Sequence, residues 1–373
     1  MTAVPSTRFE SAVATKYWHR LDDGRVQCDV CPRFCKLRNG QRGMCFVRGA
    51  QDDAVVLTAY GRSSGFCIDP IEKKPLNHYL PGTPVLSFGT AGCNLACQFC
   101  QNWDISKSRE WETLMDEASP ATIARVARDL GCRSVAYTYN DPVIFMEYAI
   151  AVAQECRKYG IKSVAVTAGY MTPETCKEFY AHMDAANVDL KAFTEEFYRT
   201  ICAGHLRPVL DTLSFLKHET TVWFEITTLL IPGYNDSDGE IDAMTKWGVA
   251  TLGPEVPWLF TAFHPDWKMM DVPPTPPGTL TRARKIAMDN GVRYAYTGNV
   301  RDEAGGSTGC HQCGARLIGR DGYEITDWAL DEQGKCRMCG TPCAGVFEAA
   351  PGRWGARRRP VRLRDYARTA PRQ

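Results

Sequence analysis

Three cysteines within eight residues, Cys93-Asn-Leu-Ala-Cys97-Gln-Phe-Cys100, carry the strongest chemical signal in this 373-residue chain. Thiolates so close in sequence can each hold one iron of a cubane cluster, leaving the fourth iron open to a substrate or cofactor. A structural zinc site closes with four ligands. No fourth Cys or His stands near this loop, and nothing in the spacing of His78 recommends it. Two further groups flank the triplet. Cys310-x2-Cys313 and Cys336-x2-Cys339 are pairs separated by 22 residues, each followed by glycine (Gly314, Gly340), the pattern of two knuckles in a zinc ribbon. Structural zinc is expected there, with an auxiliary iron–sulfur cluster as the alternative and Cys343 as a spare fifth thiol. Cys28-x2-Cys31-x3-Cys35-x9-Cys45 has only one pair at knuckle spacing, and both zinc and an auxiliary [4Fe–4S] cluster fit it.

The chain has 17 cysteines, an odd number, and its first twenty residues are charged and lack the apolar segment of a signal peptide. A cytoplasmic, reducing location follows as the expectation, in which clustered cysteines act as metal ligands before they act as disulfides. The five single cysteines, Cys67, Cys132, Cys156, Cys176 and Cys202, read as small core residues.

Something must position the triplet. Between residues 85 and 298, short runs rich in branched residues alternate with helix-like stretches. Strands are expected at 85–89, 134–139, 163–167, 187–191, 222–230, 259–263 and 294–297, with helices at 120–130, 143–159, 173–182, 209–218, 240–251 and 280–290. Ser119-Pro120, Asp141-Pro142 and Thr172-Pro173 are helix-start signals. Repeated βα units of this length predict an α/β fold, a partial (β/α) barrel with parallel strands, carrying a small Cys-rich metal module at each end. Chemistry in such barrels gathers where the strands end, here at Gly89-Thr-Ala-Gly-Cys93, Tyr139-Asn-Asp141, Thr167-Ala-Gly169, Asp189-Leu-Lys191 and Phe263-His-Pro265.

The domains expected are an N-terminal region at 1–80 with the four-cysteine module, a barrel at 81–305, a ribbon-like module at 306–350 and a tail at 351–373. Net charge is +1, but residues 353–373 hold eight arginines and one acid, which leaves the remainder at −6. The tail is expected to be disordered and solvated. An acidic body speaks against a nucleic-acid-binding function, and no run is long and apolar enough for a membrane span.

The C-x3-C-x2-C loop, with an aromatic residue before its last cysteine and a position after the first barrel strand, resembles that of radical S-adenosylmethionine (SAM) enzymes. The resemblance extends collinearly over residues 20–347 to the radical SAM protein of the AmmeMemoRadiSam system, itself similar to pyruvate formate-lyase activating enzymes. It rests on Cys28-Asp-Val-Cys-Pro-Arg-Phe-Cys35, Gly40-Gln-Arg-Gly-Met-Cys45, Asp69-Pro-Ile-Glu-Lys-Lys-Pro75, Tyr137-Thr-Tyr-Asn-Asp-Pro142, Val188-Asp-Leu-Lys-Ala-Phe193, Glu225-Ile-Thr-Thr-Leu-Leu-Ile-Pro-Gly233 and Gly298-Asn299. The resemblance implies that Cys93, Cys97 and Cys100 hold a [4Fe–4S] cluster whose open iron is chelated by SAM. An electron supplied by a reductant such as flavodoxin or ferredoxin then cleaves SAM to methionine and a 5′-deoxyadenosyl radical, which abstracts hydrogen.

It further implies that Phe99 packs by the cluster and adenine, and that Asn140 and Asp141 lie near the SAM amino group. Asp141 stands where Glu is commoner and has a second expected role as a helix cap. Asp189 and Lys191 match a D-x-K at a strand end; they are expected either to hold SAM or a substrate anion or to form only a structural ion pair. The leading reading is a radical SAM enzyme acting on a small-molecule substrate together with AmmeMemoRadiSam companion proteins. The alternatives are a glycyl-radical-enzyme activase and, from another class, a non-catalytic zinc-binding nucleic-acid or scaffold protein.

Overall fold

The computed structural model describes residue 9, residues 12–107 and residues 116–367. Its centre is a mostly parallel sheet. Seven strands follow one another in chain order: β1 (Pro84–Gly89), β2 (Ser134–Tyr137), β3 (Lys162–Thr167), β4 (Ala185–Asp189), β5 (Trp223–Leu230), β6 (Trp258–Ala262) and β7 (Ala295–Gly298), each parallel to the next. Strand Arg62–Pro70 adds to the β1 edge antiparallel, and Arg359–Pro360 pairs beyond it to complete nine strands in one path. Six helices cross between the parallel strands: α1 (Pro120–Asp129), α2 (Met146–Arg157), α3 (Pro173–Tyr180), α4 (Leu206–Glu219), α5 (Asp238–Leu252) and α6 (Pro277–Asp289). The α1 start shows the local logic. Pro120 sits at its first turn, Ser119 Oγ accepts from Thr122 N at 3.2 Å, and Ile123, Ala124, Val126 and Ala127 form its buried face. No helix among the described residues is long and apolar enough to cross a membrane.

The sheet curls, because the loop after β1 and the end of β7 line the same cavity. Its interior is closed at the strand-start end by residues 71–80, which form a plug. Ile71, Leu76, Tyr79 and Leu80 pack on Val85, Ala136, Val164 and Ala185, inward-facing residues of β1 to β4. The plug is tied down by Glu225 of β5, whose carboxylate accepts from the backbone N–H of Asn77 (2.8 Å) and of His78 (2.7 Å) and from Trp223 Nε1 (3.0 Å). Burial pushes the Glu225 carboxyl up to about 7 against these stabilising bonds. Asn187 Nδ2 of β4 donates to Pro75 O at 3.0 Å.

The C-terminal module is a three-stranded antiparallel sheet, Thr308–Gly309, Arg316–Asp321 and Glu324–Trp328. Arg320 is buried and locks it to the plug, donating to Asn77 O at 2.6 Å and to Thr308 Oγ1 at 2.9 Å. His78 sits wholly buried in this seam, with Nδ1 at 2.6 Å from Ala344 O and Nε2 at 2.5 Å from Tyr296 Oη. Burial lowers its pKa to about 3, so it is a neutral packing residue.

One expectation is corrected. Residues 351–367 are not a solvated tail. Arg359 and Pro360 pair with Ile68 and Cys67, Val361 and Leu363 are buried in the main core, and Arg364–Ala367 is a helical turn. The arginines face water while the two interleaved apolar residues cover an otherwise open sheet edge. Residues 368–373 lie outside the described residues.

Candidate active site and metal centres

A cavity of about 400 Å³ opens at the C-terminal ends of the strands. Cys93, Cys97 and Cys100 line one side; Thr138, Asn140 and Asp141 after β2, Thr167 and Ala168 at β3, and Asp189 and Lys191 at β4 follow around the rim. Thr227, Leu229, Leu259 and Thr261 form the far wall, and Lys73, Lys74 and Pro75 of the plug also line it. The structure thus brings the triplet, Phe99, Asn140, Asp141, Asp189 and Lys191 to one place. His264 is not among the lining residues; its half-exposed ring meets Gln101 Nε2 at 3.0 Å.

The turn after β2 is built for close approach. A Cβ on Gly89 would lie 2.4 Å from Thr138 O, so only glycine lets the ends of β1 and β2 meet. Asn140 Nδ2 then donates to Thr90 O (2.6 Å) and Gly92 O (2.7 Å), bracing the loop that carries Cys93. Asp141 does cap the following turn, its Oδ1 accepting from Val143 N at 3.3 Å and from Thr167 Oγ1 at 2.8 Å. The other oxygens of these two side chains, Asn140 Oδ1 and Asp141 Oδ2, are buried without a partner. Burial pushes the Asp141 carboxyl up to about 6. Two orphaned acceptors beside a three-thiol loop fit a cationic ligand group, since a buried unsatisfied acceptor costs about 1–3 kcal/mol until it is paired.

Asp189 and Lys191 form an ion pair at 2.8 Å, and both line the cavity. Burial works against the Lys191 charge, but Asp189 and the sulfurs of Cys97 and Cys202 hold it protonated. Its ammonium lies 5.8 Å from the Phe99 ring centre, and Phe99 packs on Phe197.

Two contributors were not read from the sequence. Cys202, expected as a plain core residue, is buried beside the thiol loop and leads the causes that lower the Cys97 thiol to about 6, ahead of Lys191 and Lys107. Its position follows from Ala96 N and Gln98 N donating to Cys202 O and Ile201 O, which dock the cysteine loop on the turn at 198–202. Lys74 reaches the cavity from the plug, paired with buried Asp69 at 2.7 Å.

The metal groups differ in spacing. The sulfurs of Cys310, Cys313, Cys336 and Cys339 all lie within 4.8 Å of one another, with Cys310–Cys339 at 3.6 Å and Cys313–Cys336 at 3.7 Å. Tetrahedral zinc with Zn–S of about 2.3 Å needs sulfurs about 3.8 Å apart, so the donor set fits a four-thiolate metal ion. Cys343 stays out of the group and packs 3.9 Å from His78 Nδ1. Among the described residues no other three Cys, His, Asp or Glu side chains are so close.

The radical SAM superfamily profile matches residues 88–244, from the end of β1 to the first half of α5. Residues 88–244 thus carry a radical SAM domain, and members of that superfamily are enzymes that use an iron–sulfur cluster and SAM. It is 38% identical over 325 residues to the uncharacterized protein MJ0808 of Methanocaldococcus jannaschii, an alignment covering 87% of this chain and 96% of that protein. Among solved structures it is similar to a domain of pyruvate-formate lyase-activating enzyme from Bacteroides vulgatus (19% identity, 44% of this chain and 99% of that one, TM-score 0.40). A radical SAM methyltransferase from Sphaerobacter thermophilus is also similar (15% identity, 59% and 67%, TM-score 0.48).

Proposed function

We propose that the protein is a radical SAM enzyme acting on a small molecule. Cys93, Cys97 and Cys100 would hold the [4Fe–4S] cluster, and Asn140 Oδ1 and Asp141 Oδ2 would receive the amino group of SAM. When bound, the cluster and SAM supply reductive cleavage to methionine and a 5′-deoxyadenosyl radical. The chain's own part is to orient the cation with the two orphaned acceptors, to brace the thiol loop through Asn140 and Cys202, and to surround the reacting space with branched side chains that keep water out. The observation that carries this reading is that Asn140 and Asp141, each with a buried oxygen that has no partner, line the same cavity as the three thiols.

The small-molecule substrate is favoured over a glycyl loop of another protein by how the barrel is closed. The plug fills its floor, and Tyr323, from the hairpin of the C-terminal module, reaches the cavity wall. Together they leave a space of about 400 Å³, a volume suited to a small molecule. The four close thiols of that module are assigned to zinc, with a role in holding Tyr323 and Arg320 in place. The collinear motifs at 28–45, 69–75 and 225–233 support placing it in the AmmeMemoRadiSam system, with its companion proteins and a flavodoxin- or ferredoxin-type reductant. Anaerobic incubation with reductant and SAM tests the reading. Formation of 5′-deoxyadenosine that rises on adding the companions' small-molecule extract, and not on adding a glycyl-radical enzyme, supports it; the reverse response favours the activase.

A further inference from the structure

We propose that Cys28, Cys31, Cys35 and Cys45 bind a second iron–sulfur cluster and not zinc, and that this site hands electrons to the central loop. Only the second half rests on the function proposed above. The four cysteines line a single cavity with the apolar Val30, Met44 and Ile144 and the cation Arg48. Yet no three of their sulfurs come within 4.8 Å of one another, whereas the C-terminal four do so in the same molecule. One zinc ion draws its thiolates together into mutual contact. A cubane places each thiolate on a different iron, at separate corners, and so holds them apart around a larger volume. The central triplet also lacks zinc-like spacing. By this measure the N-terminal four resemble the triplet, not the ribbon.

The surroundings suit an anionic cluster. Arg48 is buried, and its guanidinium is fixed by Ile144 O at 2.9 Å and by Glu147 at 3.0 and 2.5 Å, so a positive charge faces the four thiols from a rigid seat. That environment stabilises the reduced, more negative state of a cluster.

Position supplies the second half. Thr172 Oγ1 and Thr175 Oγ1, on either side of the α3 start, bond Asp29 O and Val30 O at 2.8 Å each, setting the module on the catalytic rim. Arg33 Nε donates to Asn94 O at 2.8 Å and its terminal nitrogen to Ala203 O. A Cβ on Gly92 would lie only 1.9 Å from Cys45 O, so the backbone of a ligand in one group presses against the residue preceding Cys93 in the other. Adjacent residues of one loop face the two sites: Cys93 lines the central cavity and Asn94 the N-terminal one. The step this arrangement serves moves one electron. A low-potential protein reductant of the flavodoxin or ferredoxin class is oxidised by one electron, the N-terminal site takes it up and passes it on, and the central site is reduced by one. No bond forms or breaks and no proton moves.

The test uses the full chain, purified anaerobically, with iron, sulfide and zinc measured per chain and electron paramagnetic resonance recorded after dithionite reduction. The Cys93→Ser/Cys97→Ser/Cys100→Ser protein should keep about half of the wild-type iron, one zinc and a reduced-cluster signal. The Cys31→Ser/Cys35→Ser protein should lose the other half and keep the same zinc. An iron-free triple variant carrying two zinc ions would overturn the proposal. The triple variant leaves the N-terminal site untouched, so it decides the metal even if the double variant does not fold. For the relay, the double variant's central signal should appear normally with dithionite but at least tenfold more slowly with reduced flavodoxin; equal rates refute it. Iron in the triple variant without SAM cleavage by the wild type would instead leave the site standing and sink the proposed function.

Discussion

Replacing Asp141 by Asn should move stability and ligand affinity in opposite directions. The side chain is buried, one oxygen is bonded to Val143 N and Thr167 Oγ1, and the other has no partner. Burial raises the carboxyl from 3.8 to about 6. A carboxyl raised in the folded state contributes stability that is complete below its unfolded pKa and is lost as pH rises through the folded one. At pH 8 the native protein therefore carries a penalty of about 3 kcal/mol from this group. Asp141→Asn removes that penalty while an amide oxygen can still accept both bonds, so the variant should melt higher than wild type at pH 8. The difference should stay nearly constant down to about pH 6.5 and shrink as pH falls through the window between the folded value of about 6 and the unfolded 3.8. In the SAM complex the same change presents an N–H donor to an ammonium. Losing a charge-assisted hydrogen bond of about 1.5–3 kcal/mol weakens SAM binding roughly 10- to 150-fold. Thermal melts across pH and calorimetric titration of reconstituted protein with SAM measure both. If the variant melts lower at every pH and binds SAM as tightly as wild type, Asp141 is only a helix cap and the reasoning fails.

Glu225→Ala would strip three buried N–H donors of their acceptor and release the plug; a loss of about 3–5 kcal/mol, seen as a drop in melting temperature, is expected, and a neutral result would show that the plug is held by its apolar contacts alone. Leu363→Ala should cost about 2–5 kcal/mol, because the side chain lies in the main core and not in a free tail; an unchanged melt would restore the solvated-tail reading. Cys313→Ser/Cys339→Ser should lose one zinc, keep its iron, and become sensitive to proteolysis between residues 308 and 347, whereas a protease pattern like wild type would mean that the module holds without metal.

Local features were legible in the sequence because they depend on residues close to one another in the chain. The cysteine spacings, the Ser119-Pro120 start and the branched strand runs all fall in this class, and β1 to β7 lie where alternation placed them to within a few residues. The Asp141 cap and the Asp189–Lys191 pair were also readable, since each joins neighbours two residues apart. What was missed depends on distant partners. Residues 71–80 have no periodicity and earn their burial only by filling a barrel built from residues 84 to 298. Val361 and Leu363 look unremarkable among arginines until a sheet edge formed 290 residues earlier needs cover. Cys202 lies over a hundred residues from Cys97 and meets it only because a turn after β4 docks on the thiol loop.

The central claim is tested most directly by reducing the anaerobically reconstituted protein in the presence of SAM and measuring 5′-deoxyadenosine and methionine. The account predicts reductant-dependent formation of both, abolished by Cys97→Ala while the zinc of the C-terminal module is retained. A protein that binds zinc but no iron, and leaves SAM intact, would contradict it.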